Sequence, residues 1–138
     1  MLLNHFSKGE LIMAGGEPDT MYASTLVKLD LVRELLDIPV FIVKNGLNSG
    51  DHRSPYHDLG LAVDAFPSPD LFADLYDNDP CALFRILLKA GFTGIGIYRH
   101  RKGFWGFHAD ERLDPATWLA RPGKKGWIYS PLITVKGV

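Results

Sequence analysis

The chain has 138 residues, a formal net charge of −1, and 46% hydrophobic against 22% charged residues. That length supports one buried core and predicts a single domain over 1–138, while the near-neutral charge leaves no general attraction for nucleic acid or an anionic membrane. The start, Met1-Leu2-Leu3-Asn4-His5-Phe6-Ser7-Lys8, lacks a basic stretch followed by a long apolar run; neither a secretion signal nor a membrane helix is expected, and the chain reads as cytoplasmic when synthesised.

Residues 14–19 (Ala-Gly-Gly-Glu-Pro-Asp) form a turn after a short opening element. From about Thr20 to Leu36 the spacing predicts a helix whose buried stripe is Leu26, Leu29, Val32 and Leu36, widened by Leu31 and Leu35. Pro39 to Val43 is β-rich, and Asn45-Gly46 and Ser49-Gly50-Asp51 then break into loop. Residues 59–66 predict a strand with Leu59, Leu61, Val63 and Ala65 toward the core, and Gly60, Ala62 and Asp64 on a cleared opposite face. Ser68-Pro69 opens a short helix through Tyr76; Asp79-Pro80 opens a second, with a stripe of Leu83, Phe84, Leu87 and Leu88 ended by Gly91. Cys81, the single cysteine, reads as a small buried thiol in that helix. Ile95–Tyr98 and Phe104–Asp110 predict a hairpin around the basic run Arg99-His100-Arg101-Lys102, which is either a solvated turn or a rim for an anionic substrate. In its second strand Phe104, Gly106, His108 and Asp110 share one face. Trp118, Trp127 and Tyr129 are expected to close over the core.

Within this frame His57, Asp64 and His108 form a two-histidine, one-carboxylate set, a common composition for a zinc ion that keeps one position open. His57 and Asp64 are seven positions apart. On an unbroken helix that offset separates them by ~10 Å along the axis, and on an unbroken strand it sends them to opposite faces. A shared ion therefore requires a bend, with His57 on a loop folded back over the strand; Gly60 and Ser54-Pro55 permit one. The bland alternative is a strand carboxylate and two histidines satisfied by backbone hydrogen bonds. His5 reads as a packing or capping residue, and His52 and His100 as exposed loop residues.

The pattern His57-x-x-Gly60-x-Ala62-x-Asp64 followed by His108-x-Asp110 resembles the zinc peptidases of the D-alanyl-D-alanine carboxypeptidase family, which share a fold with the hedgehog signalling domain. Gly94-Ile95-Gly96-Ile97-Tyr98 is similar to the lead-in to that family's last ligand strand, and His5-Phe6-Ser7 with Glu10 resembles its opening. The resemblance implies an α+β fold, a small antiparallel sheet flanked by helices. It implies His57, Asp64 and His108 as Zn2+ ligands, with zinc activating water against a peptide carbonyl of the peptidoglycan stem peptide. Asp110 would stand behind the ligands, orienting His108 or a substrate amide, or take part in catalysis.

Three departures bear on catalysis. The positions before His108 (Gly103 to Phe107) carry no acid or histidine, leaving Asp110, Glu111, His100 and His52 as substitutes for the base. Pro55 stands where the family has serine, and the family's separate Tyr-Arg-Ser-Pro turn is here His52-Arg53-Ser54-Pro55, fused to the histidine motif. Arg53 is expected to hold the substrate carboxylate, with Lys44 as alternative. The expected function is a zinc peptidase acting on the cell wall, of bacterial or phage origin. The alternatives are a non-catalytic wall-binding or structural domain, such as a component of a phage assembly, and a metal-dependent hydrolase of another small amide.

Overall fold

Helices and strands alternate irregularly along the chain in this computed structural model, which describes residues 3–50, 52 and 54–131. Helix α1 (Lys8–Met13) opens on a capping box in which Ser7 and Glu10 satisfy each other's backbone amides. A 3₁₀ turn (Pro18–Thr20) leads to α2 (Ala23–Leu36), strand β1 (Val40–Ile42), the single-turn helix α3 (Pro55–Asp58) and β2 (Ala62–Pro67). Helices α4 (Pro69–Tyr76) and α5 (Pro80–Ala90) follow, then β3 (Gly94–Arg99), β4 (Trp105–Asp110), β5 (Ala116–Gly123) and β6 (Gly126–Pro131).

The six strands make one sheet in the order β1-β2-β4-β3-β5-β6. It is mixed and not wholly antiparallel as expected, because β3 and β5 run parallel. After β4 the chain steps across the start of β3, where the Ala116 amide donates to the Thr93 carbonyl at 3.0 Å. Strand β5 therefore begins at the same end of the sheet as β3. The architecture is α+β, with α2, α4 and α5 contributing to one core against a single sheet face.

Alternation along the strands decides what that face contains. Val63 and Ala65, Ile95 and Ile97, and Phe107 and Ala109 are buried with Leu29 and Val32 of α2, Phe72 of α4 and Leu83 and Leu87 of α5. The four predicted α2 positions, Leu26, Leu29, Val32 and Leu36, are all in this cluster. The helix starts at Ala23, later than expected, because Tyr22 is extended and its amide donates to the Gly60 carbonyl. Among the described residues no helix is long and apolar enough to cross a membrane.

Four expectations are corrected. Residues 59–61 are not strand: Leu59 ends α3 and is exposed, and Gly60 turns the chain at φ 75°. A Cβ on Gly60 would meet the backbone of Thr20 and Met21, so this glycine serves a close approach to the 3₁₀ turn and clears no floor above the sheet. Cys81 is exposed, since it lies two residues, about 200° of helix, from the buried Leu83. Trp127 and Tyr129 do not close over the core; they stand half-exposed on the edge hairpin β5–β6.

Candidate metal centre

The uncovered face of the sheet carries the chemistry. In register across β2, β4, β3 and β5 lie Asp64, His108, Gly96 and Trp118. Helix α3, capped by Ser54, whose Oγ accepts from the Tyr56 amide, brings His57 over this row. Gly60 supplies the bend that the His57–Asp64 offset demanded, and the bend lies between a one-turn helix and a strand in place of the expected loop.

His57 Nε2 is 3.3 Å from Asp64 Oδ2 and 3.2 Å from His108 Nδ1, and His108 Nδ1 is 3.0 Å from Asp64 Oδ1. Donors held 2.0–2.1 Å from one tetrahedral ion stand about 3.3 Å apart, so this triangle of three residues, which engages both oxygens of Asp64, has spacings close to those of a ligand set. The remaining ring nitrogens are occupied. His57 Nδ1 donates to the Leu47 carbonyl at 2.6 Å, and His108 Nε2 donates to Asp110 Oδ2 at 2.7 Å, leaving Nε2 of the first and Nδ1 of the second turned inward. The loop that holds His57 also holds Asp64: Val43 donates to the Asp64 carbonyl at 3.0 Å, and the Asp64 amide to the Gly46 carbonyl at 2.7 Å.

Ligand atoms of His52, His57 and Asp64 also lie within 4.8 Å of one another, a group that can hold a metal ion. His52 stacks on His57 with centroids 3.7 Å apart and planes 15° from parallel, and its Nδ1 is 3.9 Å from Asp64 Oδ2. Imidazole lone pairs lie in the ring plane, so two rings stacked in parallel do not aim at one ion. His108, whose Nδ1 is nearer to Asp64 at 3.0 Å and whose ring lies at 66° to that of His57, is the better third ligand.

Charge in the centre is concentrated on Asp64. Burial raises its carboxyl pKa, but hydrogen bonds with His108 and His57 and their charge outweigh it, bringing the value down to about 2. Burial depresses His108, and the Asp110 and Asp64 carboxylates outweigh that to raise it. Asp110 is fully buried, which raises its pKa, yet the Arg112 guanidinium holds it well below the usual carboxylate range.

Comparison of the chain with known protein families, curated proteins and solved structures gave no match.

A cleft of about 1100 Å³ opens beside the centre. Its walls are aromatic: Phe66 and Phe104 on one side, Tyr98, Trp118, Trp127 and Tyr129 on the other. Tyr98 accepts a hydrogen bond from Trp118 Nε1 at 3.1 Å, and burial pushes its phenol up to about 12, so it stays neutral. His100 and Lys102 from the basic turn line the cleft, which favours the rim reading of that run; Arg101 instead donates to the Gly123 carbonyl at 2.6 Å.

The sequence-named substitutes for the base separate clearly. Glu111 points away, bonded to Lys28, Thr25 and Ser24. Asp110 does not reach the cleft, and its oxygens are taken by His108 and Arg112. His100 stacks on Phe104 at 4.2 Å. His52 lines the cleft next to His57 and is not the exposed loop residue expected. Arg53 lies outside the described residues, and Lys44 is exposed. His5 is tied to α2 through its backbone, its amide donating to Asp30 Oδ1 at 2.8 Å.

Arg112, Tyr56 and Trp118 also belong to the site and carried no functional signal in the sequence. Glycines were the available clue. A Cβ on Gly94 would overlap the Asp110 carboxylate and Arg112, and one on Gly96 would overlap the Trp118 indole.

Proposed function

We propose that this chain is a zinc-dependent peptidase that cuts peptide bonds of bacterial peptidoglycan stem peptides, with a hedgehog/DD-peptidase-like fold. The observation that carries the reading is the donor triangle of His57, Asp64 and His108, with edges of 3.0–3.3 Å, at the wall of an aromatic cleft. Bound there, zinc would polarise a scissile carbonyl and lower the pKa of water toward ~7. The chain's own residues prepare that chemistry. The Leu47 carbonyl and Asp110 hold the outer nitrogens of His57 and His108, so that Nε2 of the first and Nδ1 of the second are the ones presented to Asp64. His52 donates from Nε2 to the Ser49 carbonyl at 2.8 Å, which leaves Nδ1 facing the cleft side of Asp64 as a proton acceptor. The neutral Tyr98 phenol adds a polar group to the otherwise aromatic cleft wall. Lys102 at the rim draws the carboxylates of an acidic stem peptide.

Elemental analysis of the purified protein should find near-stoichiometric zinc, lost in both His57→Ala and Asp64→Ala. Incubation with purified peptidoglycan should release new amines. Zinc-free protein, or variants that retain the metal, would defeat the reading. A second reading is favoured by one observation: of the positions Gly103 to Phe107 just ahead of His108, those that line the cleft are Phe104, Gly106 and Phe107, none able to take a proton. Wall binding with no amine release would make this a metal-stabilised binding domain.

A further inference from the structure

We propose that Arg112 is a positioning residue, which through Asp110 fixes the His108 ring so that Nδ1 faces the donor triangle. The inference rests on the metal-centre reading above. Either nitrogen of an imidazole can ligate a metal, and the hydrogen bond at the other decides which. For His108 that bond runs to Asp110 Oδ2. A buried carboxylate alone would hold the ring poorly, since it is costly to bury unpaired and its plane can turn.

Arg112 removes both problems. Its Nε donates to Asp110 Oδ1 at 2.8 Å and its Nη2 to Oδ2 at 2.6 Å, while its backbone amide reaches Oδ1 at 3.1 Å. This fork sets the plane of the carboxylate. The guanidinium is itself fixed, with its carbon 4.8 Å from the Tyr56 ring centre and 5.1 Å from that of Trp118. Thr93 Oγ1 donates to the Arg112 carbonyl at 2.5 Å, securing the link between β4 and β5. Tyr56 precedes His57 on α3, so one cation ties the segment carrying His57 to the link behind His108. Simple neutralisation of Asp110 would need only a positive charge; the fork and the two rings require the guanidinium plane.

Lysine at this position separates the two roles. The probe is Zn2+ alone, titrated into full-length protein against a chromophoric chelator, with imidazole ¹⁵N spectra of the zinc-loaded form as an independent readout. Arg112→Lys should bind Zn2+ about 10–100-fold more weakly and lose the uniform Nδ1-ligated signature of His108. Asp110→Asn should show a loss of the same order, and the double variant little more, because the two act as one unit. Wild-type affinity and an unchanged His108 signature in Arg112→Lys would overturn the inference while leaving the metal centre standing. Should Arg112→Lys fail to fold, Asp110→Asn decides: a tenfold loss supports the chain of contacts and wild-type affinity overturns it. A wild type that binds no Zn2+, or binds it equally well as His108→Ala, defeats the metal reading itself and this inference with it.

Discussion

The two faces of the central strands differ by a shift of one residue and share almost nothing else. On β4, Phe107 and Ala109 are buried against helices, while His108 between them turns to the cleft with Asp64 and Gly96 beside it. On β3, Ile95 and Ile97 fill the core, and Gly94 and Gly96 leave space for Asp110, Arg112 and Trp118. The covered face is built from bulk and the open face from its removal. Stability and chemistry are thus interleaved at single-residue spacing on the same backbone, so the helix-packed side can supply the rigidity that the donor triangle requires.

The sharpest test of this division uses neighbours. Phe107→Ala should destabilise the protein by about 3–5 kcal/mol in chemical denaturation, with the folded fraction still taking up zinc. His108→Ala should abolish zinc uptake, and should shift the unfolding midpoint of the metal-free protein far less than Phe107→Ala does. If His108→Ala unfolds the metal-free chain as severely as Phe107→Ala, the open face is core in disguise and the division fails.

The contrast also explains what could be read from the sequence. Helices α4 and α5 were legible because local signals mark their starts, Ser68-Pro69 and Asp79-Pro80, and the left-handed Gly91 marks the end of α5. The core stripe of α2 and the shared face of β4 follow from periodicity, which burial enforces. The hairpin β5–β6 was not legible, since every residue of β6 is exposed and no alternation is imposed on it. Its placement beside β3 depends on a parallel pairing that no local pattern announces. For the same reason His57, Asp64 and His108 could be grouped by residue type and spacing, whereas Arg112 could not: its contacts to Tyr56 and Trp118 exist only because the β4–β5 link crosses the start of β3.

A second test concerns the charges that anchor α2 to the end of β4. Burial raises the Glu111 carboxyl, but hydrogen bonds from Lys28, Thr25 and Ser24 outweigh it, so its folded pKa lies below its ordinary 4.5. A depressed carboxyl contributes stability that is complete above the unfolded value and disappears as pH falls through the folded one. Glu111→Gln should therefore cost about 2 kcal/mol at neutral pH. The gap between its melting temperature and that of the wild type should shrink as pH drops below 4.5. Curves that stay parallel to low pH would show that Glu111 holds α2 by shape and not by charge.

The smallest effect is expected farthest from the core. Trp127 is 43% exposed, and its ring meets Tyr98 edge-on with centroids 5.1 Å apart, on the cleft side of the hairpin. An aromatic pair of this kind contributes about 0.5–1.5 kcal/mol beyond its buried area, and half of the indole surface stays in solvent in any case. Trp127→Ala should therefore change stability by about 1 kcal/mol or less, a fraction of the Phe107→Ala effect. If the hairpin is a wall for ligand, the same change should weaken binding of soluble peptidoglycan fragments about tenfold, the equivalent of ~1.4 kcal/mol, without altering zinc content. Zinc retention matters to the argument because it separates loss of the wall from loss of the centre. A large fall in melting temperature with fragment binding intact would move Trp127 from the open face to the structural one, and with it the reason for keeping so much aromatic surface on an edge strand.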